Sequence, residues 1–385
     1  MALIYLYRNL HEGETLTGNQ LKVTRRATSI YFRENLDAVG EFEITIPLAD
    51  DMALYLQEGY LISVDNRYFG IIRQLSQGVG RDANSIVIAG SDLKGYLEDR
   101  VTLYPQKIIQ EGLQGYDAIN NATTEAVVKH FVRNNITAPV DAKRKIPGFI
   151  LAPDQGRGLA NDQYMSRFEP LDEVIQKNLS TQKMGYRFDV YLKPSQFVFD
   201  VIAGVDHTAG QNANSRIIFD ARYRNMASLN YYSSVKDYRN LFYASLANSK
   251  NSAQSLTAMY YREGEEEPTG PDRKEQHLNV SVNLPEGQIY DNLKAYALKD
   301  AERYQQVESI EVDVLDRLQY GVDYNLGDFV TIQARSGLLG RLAIFDKQIV
   351  SVTHRWTNSG ISRVLGFGEE KITRFEAMER RMKNL

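Results

Sequence analysis

Polar and apolar side chains alternate along residues 40–47, where Phe42, Ile44 and Ile46 are separated by glutamate and threonine. A period of two is typical of a β-strand that has one face in water. Short runs of similar character surround this segment, with turn residues between them: 3–7, 21–23, 29–33, 60–64, 67–74 and 85–89. Strands this short and this closely spaced predict a small barrel or sandwich rather than βαβ units. We therefore predict a barrel-like β domain over residues 1–100.

The middle region, residues 101–305, differs because helical spacing appears in it. Apolar side chains recur at helix intervals over residues 123–134 and 171–182, and an apolar stripe predicts a further helix over residues 288–305. Residues 139–161 hold too many prolines and glycines for a regular element. They predict a long loop between the first two helices.

Antiparallel strands are also predicted in the middle region. Alternating runs lead into and out of the turn at Lys193-Pro194, a pattern that is typical of a β-hairpin. Residues 262–276 are highly charged, contain proline and glycine, and lack apolar periodicity. This segment predicts an exposed loop, which is either a hairpin tip inside one domain or a domain boundary.

Strand alternation returns near the C-terminus. Ile310, Val312 and Val314 alternate with acidic residues, and further apolar runs follow, which predicts a second barrel-like β domain over residues 306–371. The last residues, 372–385, are amphipathic and basic and are predicted to be a tail that docks on a partner or frays. The predicted fold class is mostly β with α, an α+β multi-domain chain with barrel-like domains at both ends.

Size, charge and cysteine content exclude several classes of protein. A chain of 385 residues exceeds the size that one hydrophobic core serves, so more than one domain is expected. The absence of cysteine excludes disulfides, thiolate metal sites and cysteine nucleophiles. A formal net charge of -4 gives no global field that would attract nucleic acid or anionic lipid. We also expect no membrane span and no export signal, because the necessary apolar runs are missing.

Motifs that carry chemistry are weak or missing. The histidines are far apart in sequence and form no metal-binding motif: His11, His130, His207, His277 and His354. There is no G-x-S-x-G nucleophile elbow and no Walker-type phosphate loop. We therefore predict no catalytic, cofactor-binding or metal-binding residues and no enzymatic activity. A carboxylate pair or cation site assembled from distant parts of the chain stays open at this point.

Two groups of motifs resemble the tail-hub, or baseplate-hub, proteins of siphophages and tail-like bacteriocins. The first group is VTRRATSIYFRENLDAVGEFEITIPL (23–48), LISVDNRYFGIIRQL (61–75) and IAGSDLKGYLEDRVTLYP (88–105). The second group is VDYNLGDFVTIQ (322–333) and DKQIVSVTHRW (346–356), in which Leu326, Gly327 and Asp328 are predicted to form the tight turn that enters a strand. The matching segments cover both ends of the chain, and their order is more specific than any single motif.

The resemblance implies a structural role in a tail. In hubs of this kind, two related barrel-like domains in each of three subunits build a pseudo-sixfold ring. Such a homotrimer would join the tail tube or distal tail protein to the tip or spike protein. The tape-measure protein would also be a partner, and DNA would be only transient cargo of the lumen in a true phage. The implied location is the tail tip or baseplate of a virion or tail-like particle, contractile or flexible, assembled in the cytoplasm of the bacterial host.

Two alternatives belong to other classes of protein. A tail-associated lysin would carry a peptidoglycan-cleaving domain with its own nucleophile or metal ligands, which this sequence does not show. A cell-wall carbohydrate-binding tail protein would be expected to show clustered exposed tryptophans, and the single tryptophan is Trp356.

Overall fold

The fold is mostly β. The computed structural model describes residues 2–78, 84–105, 115–247, 255–262, 266–280, 289–335, 342–357 and 360–368. Two compact units are found, one formed by Met1–Leu229 and Glu311–Phe367 and the other by Asn230–Ile310 and Gly368–Leu385. In the described residues several sheets form, and none of them closes into a barrel.

The strands are β1 (Ile4–Tyr7), β2 (Gln20–Thr24), β3 (Ser29–Asn35), β4 (Glu41–Pro47), β5 (Leu61–Val64), β6 (Tyr68–Gln77), β7 (Ser85–Asp92), β8 (Asp117–Thr123), β9 (Phe149–Leu151), β10 (Ala160–Ser166), β11 (Met184–Leu192), β12 (Ser195–Ala203), β13 (Ile218–Phe219), β14 (Met226–Ser234), β15 (Leu241–Ala247), β16 (Ser255–Tyr261), β17 (Glu275–Val280), β18 (Val307–Val314), β19 (Phe329–Ala334), β20 (Ala343–Thr357) and β21 (Gly360–Gly368). The α-helices are α1 (Gly95–Glu98), α2 (Thr124–Val132), α3 (Leu171–Ser180) and α4 (Ile289–Ala301). Short 3-10 turns occur at Asp51–Tyr55, Ala142–Arg144, Ala221–Tyr223, Gly270–Asp272 and Glu302–Tyr304, and a π-helical turn, Arg133–Thr137, continues α2.

The first unit is built on one long antiparallel path of strands. Its order is β21-β20-β3-β4-β7-β6-β5-β1-β2, so the C-terminal strand β20 pairs with the N-terminal strand β3. Six residues of each strand are paired, from Ser351 opposite Asn35 to Trp356 opposite Ile30. The two ends of the chain are therefore joined in one sheet.

This sheet is buried on both faces over part of its area, which explains the dense apolar content of its strands. In β1, Ile4 and Leu6 enter one hydrophobic core, while Tyr7 enters another. The first core is lined by strands of the N-terminal segment together with Trp356. The second core contains α2, α3 and the β11–β12 hairpin. Alternate residues of a strand point to opposite faces, so a single strand contributes to both cores.

The second unit is a small sheet covered by a helix. Strands run in the order β16-β15-β17, with β15 antiparallel to β16 and parallel to β17. Helix α4 packs on the sheet, and Leu293 and Ala297 join Phe242, Ala244 and Val280 in its core. Strands β14, β18 and β21 contain the points at which the chain passes from one unit to the other.

Several predicted elements are confirmed. Helices α2 and α3 begin within one residue of the predicted starts, and the Thr123 hydroxyl caps α2 by accepting from the Ala126 amide at 3.3 Å. Helix α4 begins one residue after the predicted start of the 288–305 stripe, and the 3-10 turn Glu302–Tyr304 continues it. The hairpin at Lys193-Pro194 joins β11 to β12 in a continuous antiparallel ladder.

Two predicted loops contain strands. Residues 139–161 hold β9, which pairs in parallel with β12, and also the start of β10. Strand β9 has only three residues, which is too short to show a periodic pattern in the sequence, and its partner β12 lies far along the chain. The prediction of a loop was therefore wrong at β9. The charged segment 262–276 likewise runs into β17 at Glu275. The predicted tail, residues 372–385, lies outside the described residues.

Within the described residues, no helix is both long and apolar enough to cross a membrane.

Candidate functional site

The turn formed by residues 35–40, here called the junction loop, connects β3 to β4 and contacts three other parts of the first unit. Leu36 donates its amide to the Val350 carbonyl of β20 at 2.8 Å and accepts the Tyr186 amide of β11 at 3.0 Å. At the other end of the loop, the Asp92 amide donates to the Gly40 carbonyl at 2.9 Å. Both ends of the chain and its middle region are thus tied to one turn.

Lys94 secures the junction loop from the motif GSDLKGYL. Its side chain is buried, and its ammonium group donates to the carbonyl oxygens of Asn35, Ala38 at 3.1 Å and Leu36 at 3.4 Å. The same nitrogen lies 4.4 Å from the centre of the Tyr186 ring. Burial lowers the pKa of Lys94, and the attraction of Asp92 opposes that shift. The lysine therefore acts as a cross-link between the end of β7 and the turn after β3.

Asp92 lies beside Lys94 and is also buried. One carboxylate oxygen accepts the Lys94 amide at 3.0 Å. Burial raises the pKa of Asp92 to about 6, against the opposing charge of Lys94. A side chain at Gly40 would place its Cβ 2.7 Å from the second carboxylate oxygen and 2.2 Å from the Arg33 carbonyl. Glycine is therefore required at position 40.

Glu34 and His354 connect β3 to β20 through their side chains. The Nε2 atom of His354 lies 2.7 Å from Oε2 of Glu34, and the Tyr320 hydroxyl donates to the same oxygen at 3.2 Å. Burial acts to raise the pKa of Glu34. The hydrogen bond from His354 and the charge of that histidine outweigh the effect of burial, so the pKa of Glu34 lies below its ordinary value. The centre of the His354 ring lies 4.6 Å from that of Tyr68 and 5.7 Å from that of Trp356. Polar and aromatic contacts thus reinforce the β3–β20 ladder.

The LGD turn lies directly before β19, as predicted from the sequence. Gly327 adopts a φ of +96, a conformation that favours glycine, and the buried Asp328 carboxylate accepts the amides of Asn325 at 2.7 Å and Val205 at 2.8 Å. Gly204 crosses this turn so closely that a Cβ there would lie 1.6 Å from the Gly327 carbonyl oxygen. A Cβ at Gly327 would in turn lie 3.1 Å from the Leu36 side chain. Both groups of motifs that carry the family resemblance therefore meet at the junction loop.

A buried cluster of charges lies elsewhere in the same unit. The Lys129 ammonium contacts Glu125 at 2.6 Å, Asp200 at 3.1 Å and the Pro153 carbonyl at 2.9 Å. Arg157 donates its amide to Glu125 at 2.9 Å and its guanidinium lies 3.4 Å from Asp200. The cluster ties the segment before β10 to α2 and β12. Only the i, i+4 spacing of Glu125 and Lys129 was visible in the sequence.

The histidines are dispersed in the structure as they are in the sequence. His130 lies 2.7 Å from Asp117, His277 lies 2.7 Å from Ser245, and His207 lies 2.7 Å from the Ser215 carbonyl. In the part of the chain that the structure describes, no group of three or more histidine, aspartate or glutamate residues could hold a metal ion. The contacts at the junction loop cross-link separate segments of the chain.

Comparison with known proteins supports the resemblance. The family model described as "Siphovirus ReqiPepy6 Gp37-like protein" matches residues 15–369. No curated protein matches the sequence.

Solved structures share the fold at low identity. The 43 kDa tail protein of prophage MuSo2 from Shewanella oneidensis is 13% identical with a TM-score of 0.54, over 95% of this chain and 98% of that chain. The tail protein from Neisseria meningitidis MC58 is 15% identical with a TM-score of 0.51, over 96% of this chain and 97% of that chain. A chain of the lidded Francisella PdpA-VgrG complex is 11% identical with a TM-score of 0.51, over 97% of this chain and 54% of that chain.

The family match extends from before β2 to the end of β21 and includes the junction loop, Lys94 and the LGD turn. The chain belongs to the Siphovirus ReqiPepy6 Gp37-like family of siphovirus tail proteins.

Proposed function

We propose that this chain is a tail-hub subunit that assembles as a homotrimeric ring between the tail tube and the tip or spike. The observation that carries the proposal is the shared fold with two tail proteins, one of them from a prophage, over nearly the full length of all three chains. A chain of this fold also occurs within the Francisella PdpA-VgrG complex, which supports a role in assembly with another protein. The subunit acts through its surfaces and carries no catalytic site of its own.

The path of the N-terminal strands supports a barrel-like domain in residues 1–100. Strands β3 and β2 lie at opposite ends of the path β3-β4-β7-β6-β5-β1-β2. In a flat sheet they would be about 29 Å apart at the usual spacing of about 4.8 Å between strands. The connection between Thr24 and Ser29 spans at most about 18 Å, so the sheet must curl until its ends approach.

The same interpretation extends to residues 306–371, where β18 to β21 lie. We propose that they form a second barrel-like domain equivalent to the first in the ring, with residues 101–305 as the variable middle region. The β3–β20 ladder and the junction loop then hold the two domains of one subunit side by side. Two related domains in each of three subunits would match a six-fold tube. Tail tube, tip or spike and tape-measure proteins are the proposed partners.

The mass of the full chain in native solution tests the ring. The expected result is a species with three times the 43.8 kDa of one chain, which gains population as the protein concentration rises. Native mass spectrometry and sedimentation velocity measure it. A chain that stays monomeric at its highest soluble concentration, or that forms only dimers, would contradict the trimeric ring.

A further inference from the structure

A buried histidine lies inside the ladder that joins the two ends of the chain. His354 of β20 pairs with Phe32 of β3 and is 0% exposed. Its Nε2 atom lies 2.7 Å from a carboxylate oxygen of Glu34, so this nitrogen carries a proton and donates it. The neutral ring then has its lone pair on Nδ1, which lies 3.5 Å from the Tyr68 hydroxyl. The ring centre of Tyr320 lies 5.2 Å from that of the histidine.

Two arginines lie near His354. Arg363 is opposite the histidine in the β20–β21 ladder, and the Arg67 guanidinium lies 5.4 Å from the centre of the Tyr68 ring. The Arg363 guanidinium also donates to the exposed carboxylate of Asp316 at 3.3 Å. A positively charged imidazole would therefore be attracted by the Glu34 carboxylate and repelled by both arginines.

The balance of these effects disfavours the charged histidine. Burial lowers the pKa of His354, the hydrogen bond and charge of Glu34 oppose that shift, and Arg363 and Arg67 add to it. Lys94 also lowers the pKa of Glu34, which keeps this carboxylate ionised. Because a histidine in the unfolded chain has a pKa of about 6.5, the unfolded chain takes up this proton before the folded chain does. The stability that His354 contributes is complete above about pH 6.5 and is lost as the pH falls from there through the lower pKa of the folded chain.

We propose that His354 makes the β3–β20 ladder sensitive to protons, so that uptake of a second ring proton weakens the pairing of the two ends of the chain. The second proton removes the acceptor that Nδ1 offers to the Tyr68 hydroxyl and places a buried positive charge opposite Arg363. The ring lies within the paired residues of the ladder, so these costs act on that pairing. The effect arises inside one subunit and does not depend on assembly of the ring.

The fluorescence of Trp356 measures the titration of His354 directly. Trp356 is the single tryptophan, and its ring centre lies 5.7 Å from that of the histidine. A protonated imidazole quenches indole fluorescence more strongly than a neutral one does. The emission of the full chain is expected to fall on acidification with a midpoint below about pH 6.5, and His354→Gln should abolish this transition. A midpoint at or above that pH, or the same transition in the variant, overturns the proposal.

Arg363→Gln tests the repulsion without a change at the histidine itself. Glutamine keeps part of the side-chain length and removes the charge. The midpoint of the Trp356 fluorescence transition is expected to rise toward that of an ordinary histidine, because one of the two repelling cations is lost. Arg133→Gln removes an exposed arginine of the π-helical turn and should leave the midpoint unchanged. A midpoint that does not rise in Arg363→Gln contradicts the proposal.

Asp92 provides a comparison of opposite sign in the same pH range. Burial raises its pKa from 3.8 to about 6. The stability that it contributes is therefore complete below pH 3.8 and is lost as the pH rises through about 6. Replacement of His354 and of Asp92 should thus change the pH dependence of stability in opposite directions.

Urea unfolding of the full chain at pH 7.5 and at pH 5.5, at one low protein concentration, measures both effects. On acidification, the folding equilibrium constant of the wild type relative to that of His354→Gln is expected to fall by about three- to tenfold. Relative to Asp92→Asn it should rise by about threefold. His11→Gln changes an exposed histidine, and the corresponding ratio should change by less than about twofold. A ratio for His354→Gln that stays constant or rises on acidification overturns the proposal.

Discussion

Gly204→Ala is expected to lower the free energy of unfolding by about 3 kcal/mol or more. The added Cβ would lie 1.6 Å from the Gly327 carbonyl oxygen and 2.9 Å from the Asp328 amide nitrogen. Both atoms belong to the backbone, so no side-chain rotation relieves the contact. The LGD turn would have to move, and with it the two amides that the Asp328 carboxylate accepts. Urea unfolding followed by circular dichroism measures the effect.

Gly210→Ala is the matched control for Gly204→Ala. No atom lies within 4 Å of a Cβ at this position, and its φ is not in the left-handed region. The control should change stability by less than about 1 kcal/mol, and the change should favour the folded state because alanine restricts the unfolded chain. Equal stability of the two variants would show that the Gly204–Gly327 crossing is not as close as described.

Lys129→Met is expected to cost about 3–5 kcal/mol, as is typical when one partner of a buried ion pair is removed. Lys129 is 3% exposed and Glu125 is fully buried. Among the described residues, loss of the ammonium group leaves Arg157 as the remaining counter-charge of the Glu125 carboxylate. Methionine keeps most of the aliphatic length, and the change therefore reports the charge and its hydrogen bonds. Urea unfolding at neutral pH measures it.

Lys22→Met provides the comparison for Lys129→Met. Lys22 lies 3.9 Å from Asp51 at the surface, where the Asp51 side chain is 83% exposed. A surface pair of this kind contributes about 0–1 kcal/mol. If both methionine variants were equally stable, the cluster around Lys129 would not be the cross-link that the structure indicates.

The local sequence pattern was sufficient to predict those strands and helices whose apolar periodicity is visible within one segment. Phe42, Ile44 and Ile46 are buried on one face of β4 as their alternation predicted, and the stripe led by Leu171 forms α3. The LGD turn was also predictable, because glycine at Gly327 and a carboxylate that accepts nearby amides are local features.

Long-range pairing was not predictable from local pattern. The β3–β20 ladder joins residues more than 300 positions apart, and the sequence of neither strand indicates which strand it pairs with. The contacts of Lys94 with the junction loop were likewise not predictable from local sequence. Nor was the close approach of Gly204 to Gly327, because nothing in the sequence distinguishes Gly204 from other glycines at strand ends. The sequence therefore predicts β structure at both ends of the chain but not that strands from the two ends pair in one sheet.

The family resemblance supplied what the residues alone could not. The order of the motifs along the chain indicated the family of siphophage tail proteins, and the family match over residues 15–369 confirms that assignment. The structure adds a physical reason for those motifs: GSDLKGYL and LGD both secure the junction loop. They therefore have a structural role in holding the subunit together.

Cryo-electron microscopy of intact tails that contain this chain tests the account most directly. The expected result is density for three copies of this chain in a closed ring between the last ring of the tail tube and the tip, with β3 and β20 adjacent in every subunit. Density along the tube, in the head or only in peripheral fibres, or a ring with a number of copies other than three, would contradict it.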